Sequence, residues 1–323
     1  MLYEMKQFTS VKDVTNVKEL VQEALALKSN PYAHKALGTN RTLGVIFLNP
    51  SLRTRLSTQK AAMNLGMNVM VMNIDKEGWA LETRDAVVMD GTTVEHIREA
   101  ARVFGQYCDV LAIRSFPGLK NRDEDYNEEI FNKFITFSGV PVVSLESATL
   151  HPLQSFADLI TIEEHKKVEK PKVVLTWAPH VKPLPQSVPN AFAEWMCRAQ
   201  QEGLVDFVIT HPEGYELAEQ FTPGARIVYN QDEAIKGAHF IYPKSWSSYH
   251  DYGKVLSKGE GWMLNLERLA ITDQAKVLHC LPVRRDLELG ADILDSTESL
   301  VIEEAGNRVW AAQAVLKRIL ESL

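Results

Sequence analysis

Long apolar runs are missing from this sequence. No segment approaches the ~18 consecutive apolar residues of a membrane-crossing helix. The stretch from Met1 to Val14 has no basic start followed by an apolar segment, so no secretory leader is expected. Cysteine is scarce: Cys108, Cys197 and Cys280 are the 3 present. That is too few for a disulfide framework, and their spacing is too wide for a zinc site. Positive charge is not in excess either. Lys and Arg number 35 against 42 Asp and Glu, a formal net charge of -7, which argues against a nucleic-acid binder. What is present suits an ordinary globular protein of 323 residues, 45% hydrophobic and 24% charged. At ~150 residues per domain, two domains are expected. The composition points to a cytoplasmic enzyme.

Strand-like and helix-like segments alternate along the chain, which predicts parallel sheets covered by helices. Strands are expected at 42–48, 108–113 and 140–145. In the second half they are expected at 172–177, 206–210, 226–229, 239–242 and 276–280. A helix carrying Leu52, Leu56 and Met63 on one face should follow the first strand and stop at Gly66. Thr92 and Glu95 form a capping-box pattern before Ile97, Ala100, Ala101 and Phe104, with Gly105 as the stop. Further helices are expected at 129–137, 152–164, 188–201 and 214–219. The last, 307–323, is amphipathic and can pack back on the first domain. The expected class is α/β, with two doubly wound parallel-sheet domains joined by helices. Residues 1–152 with 306–323 form one domain and 153–305 the other.

Open parallel sheets bind ligands at the carboxyl ends of their strands, and the unusual polar residues fall there. Ser51-Leu52-Arg53-Thr54-Arg55 opens a helix after the first strand. Free N–H groups, a positive dipole end, hydroxyls and forked guanidinium donors suit a phosphate; the same residues also describe a capped helix with a solvated basic start. No G-x-x-x-x-G-K-[ST] or G-x-G-x-x-G stands there, so a nucleotide is not the expected owner of that phosphate. Arg114 and Glu146 end later strands, and His151-Pro152-Leu153-Gln154 starts a helix. His180, Lys182 and Lys244 follow strands of the second half. His279-Cys280-Leu281-Pro282 leads to Arg284. Taken singly, Arg114 reads equally as a surface ion pair, His151 as a cap and Cys280 as an inert buried thiol.

As an ordered set, S-x-R-T-R, a later arginine, H-P-x-Q and H-C-L-P resemble the carbamoyltransferase family from Ser51 to Arg285. The resemblance implies two α/β domains, one for carbamoyl phosphate and one for an amino acid. It also implies a homotrimer with active sites shared between subunits. The ornithine-type Ser-Met-Gly is absent, and Tyr242-Pro243-Lys244-Ser245-Trp246 stands at that stage. With Trp177-Ala178-Pro179-His180 and Lys76-Glu77-Gly78-Trp79, this is similar to the branch acting on N-acylated ornithine. In that branch Trp79 is implied to reach the neighbouring subunit's carbamoyl phosphate. Acetyl-type members carry a glutamate three residues after Met-Asp-Gly; Met89-Asp90-Gly91 is followed here by Thr92, Thr93 and Val94. Losing that carboxylate favours an anionic succinyl group, with His180, Lys182 and Lys244 as cationic partners.

The implied reaction moves the carbamoyl group to the side-chain amine of N-succinyl-L-ornithine, giving N-succinyl-L-citrulline and phosphate, in arginine biosynthesis. Ser51, Leu52, Arg53, Thr54, Arg55 and Trp79 would hold the phosphate. Arg114, His151 and Thr54 would bond the carbamoyl oxygen, a role of the oxyanion type. Gln154 and the Cys280 and Leu281 carbonyls would orient the carbamoyl amide and the amine. Glu146 and Lys244 would address the α-end, and Arg284 its carboxylate. Because the amine is the nucleophile, no thiolate, metal or cofactor is expected, and Cys280 is assigned a backbone role. One departure stands out: Glu288 replaces a lysine that some N-acylornithine members carry. The partners expected are small molecules, with no nucleic acid and no membrane. The competing readings are the same chemistry on N-acetylornithine, an NAD-dependent dehydrogenase, and a non-catalytic phosphate-binding homologue.

Overall fold

Apolar stretches of five or six residues, buried along nearly their whole length, make the inner strands of two parallel sheets. The computed structural model describes residues 5–323; residues 1–4 of the expected first domain lie outside the described residues. In chain order the strands are β1 (Gln7–Phe8), β2 (Thr42–Phe47), β3 (Asn68–Asn73), β4 (Leu81–Glu82), β5 (Glu95–His96), β6 (Val110–Arg114) and β7 (Val142–Glu146). They continue as β8 (Lys172–Trp177), β9 (Asp206–Thr210), β10 (Arg226–Ile227), β11 (Phe240–Lys244) and β12 (Lys276–Val277). One sheet has the order β1-β7-β6-β2-β3 and the other β10-β9-β8-β11-β12, while β4 and β5 pair apart. Strand order reverses between β2 and β6 in the first sheet and between β8 and β11 in the second. The carboxyl ends at such switch points are where ligands bind in open α/β sheets.

The principal helices are α1 (Val17–Ser29), α2 (Leu52–Asn64), α3 (Ile97–Tyr107), α4 (Glu129–Phe137), α5 (Pro152–His165), α6 (Ser187–Gln201) and α7 (Val301–Leu320). Successive residues of a strand feed opposite faces, and both faces are covered. Val45, Ala112 and Val143 pack towards α1, α2, α5 and α7, whereas Ile46, Leu111 and Ile113 pack towards α3 and α4. The first of these apolar clusters is continuous. It runs on through Phe156, Ile160, Phe192 and Trp195 to Val173, Leu175 and Tyr242 of the second sheet.

Leu52, Leu56 and Met63 share a face as expected, and that face points outward, 71%, 59% and 61% exposed. The inward face is Thr54, Ser57, Thr58, Ala61 and Ala62, whose small side chains let α7 lie close. No capping box forms at Thr92. The Glu95 carboxylate accepts from Trp79 Nε1 at 2.9 Å, its backbone pairs with β4, and the helix begins at Ile97 with His96 as cap. Gly105 does not stop α3. A Cβ there would lie 1.9 Å from the Ser138 carbonyl oxygen, so glycine permits a close approach inside the helix. Residues 214–218 form no helix. Gly214 has φ +85°, and the Tyr215 carbonyl is taken by Trp246 Nε1 at 2.8 Å. The last strand ends at Val277 rather than Cys280, because the His279 N–H turns to Glu304. The final helix begins at Val301, earlier than expected. No periodicity pointed to α1, β1 or the edge strand β3.

Candidate active site

The carboxyl ends of β2, β6, β7, β8, β11 and β12 converge on one cavity of about 560 Å³ between the two sheets. It collects Ser51, Leu52, Arg53 and Thr54 from the start of α2, Arg114 and Glu146 from strand ends, and His151 and Gln154 from the start of α5. The second half contributes His180, Lys182, Lys244, Cys280, Leu281 and Arg284. Three sequence-predicted residues, Arg55, Trp79 and Val94, are not in its lining. Trp79 and Val94 are exposed elsewhere on the surface.

Ser51 caps α2 by backbone alone, with no side-chain cap bond, so its hydroxyl remains available. Thr54 Oγ1 instead lies 2.5 Å from Arg308 Nη2 of α7, a buried arginine that the sequence reading missed. Arg114 bonds the Glu146 carboxylate and lies over the Phe116 ring, 4.5 Å from its centroid. Nε of Arg53, Arg114 and Arg308 is buried with no hydrogen-bond partner among the described residues. These guanidiniums feel one another: burial, then the fields of Arg114 and Arg53, lowers Arg308 from its ordinary value to about 10. Such a surplus of buried, incompletely bonded donors has the chemistry of an anion site.

His151 begins α5 fully enclosed. Burial, then Arg308, Arg114 and Arg53, holds it well below the histidine range, so the ring is neutral. Its Nε2 stands 3.5 Å from Glu146 Oε2. Glu146 is thus a hub, since Ser187 Oγ donates to its other oxygen at 2.7 Å. Gln154 is also enclosed, and its Oε1 has no partner among the described residues.

The opposite wall is a chain of polar contacts. Arg284 Nε donates to His180 Nε2 at 3.1 Å, and His180 Nδ1 lies 2.9 Å from the Lys182 carbonyl oxygen and 3.2 Å from the Lys182 backbone nitrogen. Lys244 Nζ is buried 3.9 Å from Glu288 Oε1, and Glu288 Oε2 accepts from the Arg284 N–H at 2.8 Å. Glu288, flagged in the sequence only as a departure, therefore holds both cationic residues from behind. His279 Nδ1 accepts from the Leu281 N–H at 2.9 Å; Leu281 takes φ 52°, and its bond to Pro282 is cis. Burial pushes the Cys280 thiol up, which keeps it protonated. Arg308 could have been suspected from a charged residue standing on the apolar stripe of the last helix.

Comparison with known proteins gives a consistent result. The family model described as "Aspartate/ornithine carbamoyltransferase, carbamoyl-P binding domain" matches residues 6–164. The model described as "Aspartate/ornithine carbamoyltransferase, Asp/Orn binding domain" matches residues 192–319. The chain is 53% identical to N-succinylornithine carbamoyltransferase of Bacteroides thetaiotaomicron, over 99% of this chain and 100% of that one. It is 30% identical to N-acetylornithine carbamoyltransferase of Xylella fastidiosa, over 97% and 98%. Among solved structures, it is similar to a variant of N-acetyl-L-ornithine transcarbamylase complexed with carbamyl phosphate and N-succinyl-L-norvaline. In that variant alanine replaces a glutamate; the TM-score is 0.88 at 29% identity, covering 96% of this chain and 98% of the other.

Proposed function

The chain belongs to the aspartate/ornithine carbamoyltransferase family, and on that premise we propose that it carbamoylates the side-chain amine of N-succinyl-L-ornithine. Carbamoyl phosphate is the donor; N-succinyl-L-citrulline and phosphate are the products. The observation that carries this reading is the buried convergence of Arg53, Arg114 and Arg308 on the start of α2.

In this reading the phosphate sits on the free N–H groups and side chains of Ser51 to Arg55, with Arg308 joining through Thr54. Arg114, Thr54 and neutral His151 address the carbamoyl oxygen, where negative charge develops as the amine attacks. A neutral ring there donates a hydrogen bond without adding a charge to a site already rich in guanidiniums. The Gln154 oxygen and the Cys280 and Leu281 carbonyls take the carbamoyl NH2 and the amine. Glu146 acts by orienting Arg114 and His151, because its oxygens are already engaged. Lys244 and Arg284, backed by Glu288, take the substrate's carboxylates, with His180 and Lys182 beside them. Positioning of two bound reactants is the main source of acceleration, since no covalent intermediate is needed.

We assign residues 1–152 with 306–323 to carbamoyl phosphate and 153–305 to the acylated amino acid. The division follows the two sheets, although α7 starts earlier, at Val301. The assembly is a homotrimer in which Trp79 completes the neighbour's site and Val94 borders the acyl group. The outward apolar face Leu52, Leu56 and Met63 supports a covered surface there. Val94 and the identity to succinyl-type relatives favour succinyl over acetyl. The setting is cytoplasmic arginine synthesis; no helix among the described residues is long and apolar enough to cross a membrane.

The test offers ornithine, N-acetylornithine and N-succinylornithine side by side with carbamoyl phosphate. Preferred turnover of the succinyl compound supports the reading. Preference for the acetyl compound removes the role given to Val94, and turnover of none overturns the reaction.

A further inference from the structure

Beneath the cavity, Asp158 of α5 and Glu304 of α7 face each other, both at 0% exposure. One amide nitrogen serves both. Gln154 Nε2 donates at 2.8 Å to Asp158 Oδ1 and at 2.8 Å to Glu304 Oε1. Glu304 Oε2 also accepts the His279 backbone N–H at 2.6 Å. Neither carboxylate forms an ion pair among the described residues. Tyr242 of β11 faces Asp158 and Cys280; His279 and Cys280 follow β12, and Arg308 lies one turn along α7, acting on Asp158 by its field alone.

Two contacting carboxylates cut off from water cannot both be charged. They hold one proton between them and remain a single anion. Burial raises Asp158 to about 7 and holds Glu304 well above the usual carboxylate range, in keeping with that sharing. The anion has a geometric consequence. Both acceptors lie on one side of Gln154, so the amide NH2 must face them. Its oxygen is left for the cavity, which Gln154 lines and where that oxygen has no partner among the described residues.

We propose that Asp158 and Glu304 form one singly protonated positioning pair that fixes which end of the Gln154 amide meets the substrate and ties the Cys280–Leu281 segment to the same anchor. The pair touches no substrate and acts through Gln154 and His279. It thereby joins the carbamoyl-binding start of α5 to the loop that follows β12. This inference rests on the carbamoyl-transfer reading.

Asp158→Asn, Glu304→Gln and the double variant preserve shape while removing ionisable oxygens. Each is assayed in the wild-type and Gln154→Ala backgrounds, with thermal unfolding as a check on the fold. With Gln154 present, the double variant has no anion to orient the amide, and kcat/KM for carbamoyl phosphate falls at least ~10-fold. In the Gln154→Ala background the same change costs under ~2-fold, because its route of action is already gone. Equal losses in both backgrounds overturn the proposal, since a purely structural pair acts independently of Gln154. Backbone hydrogen exchange at His279, without substrate, is a readout that needs no activity. It accelerates by roughly 5-fold or more in the double variant, as a charged acceptor is replaced by a neutral one. An unchanged rate overturns the anchoring role. Wild-type protein that carbamoylates nothing overturns the functional reading instead, so the two failures are told apart.

Discussion

Replacing Arg308 by methionine should pull ligand binding and folding stability in opposite directions. The guanidinium is buried, donates to Thr54 Oγ1 at 2.5 Å and faces Arg53 and Arg114. Its fall to about 10 corresponds to about 3 kcal/mol held against the charged form in the free protein. A bound phosphate dianion offsets that cost, because a hydrogen bond to a charged group is worth ~1.5–3 kcal/mol. Methionine keeps a long apolar stem but removes the charge and the Thr54 bond. Arg308→Met is therefore expected to raise KM for carbamoyl phosphate by ~10–100-fold. Its Tm in buffer should equal or exceed that of wild type, because the cost of burying the charge, and then its repulsion by Arg114 and Arg53, is relieved. Saturating inorganic phosphate should raise the wild-type Tm and leave the variant nearly unmoved. Differential scanning fluorimetry with and without phosphate, beside steady-state kinetics, reads all three quantities. A clear fall in Tm with an unchanged KM would refute the reasoning and make Arg308 a structural strut.

Other perturbations address separate parts of the site. Cys280→Ser should keep kcat within about tenfold, as the buried thiol stays protonated and the reaction uses no thiolate; total loss in a folded variant would contradict the backbone role. Val94→Glu should shift preference from N-succinyl- towards N-acetylornithine by ~10–100-fold in relative kcat/KM, through repulsion of the succinyl carboxylate; unaltered preference would remove Val94 from the specificity argument. Because folding depresses the pKa of His151 below its usual 6.5, its contribution to stability is complete above pH 6.5 and is lost as pH falls further. His151→Asn should therefore flatten part of the acid-side decline in Tm, and superimposable pH curves for the two proteins would refute the assignment.

The inner strands and the candidate site at their ends were legible because both are local. A run such as Val173 to Leu175 is apolar whatever lies around it, and a polar residue directly after it stands at a strand end. The failures share a different cause, which is competition from partners far along the chain. Glu95 was available to cap a helix until Trp79 and β4 claimed it. Gly105 looked like a stop because Ser138, which crowds it, cannot be inferred from local spacing. Arg308 offered locally no more than a charge on an apolar stripe, because its helix meets Thr54 only after α7 returns across the first sheet. On α2, periodicity identifies an apolar face but not its destination; the neighbour that α2 meets inside is α7, which small residues suit better.

The unbroken apolar cluster between the sheets has a consequence for exchanging parts among relatives. Grafting residues 153–305 from a member with another amino-acid preference would cut α7 after Ala305 and replace Phe156, Ile160, Phe192 and Trp195 at once. Those side chains interlock with Ala311, Val315 and Ile319, which belong to the other parent in such a chimera. A transplant that respects this boundary must carry α5 and α7 together with α6. Specificity is then exchanged more safely in the loops after β8, β11 and β12, where side chains face the cavity rather than the shared interior.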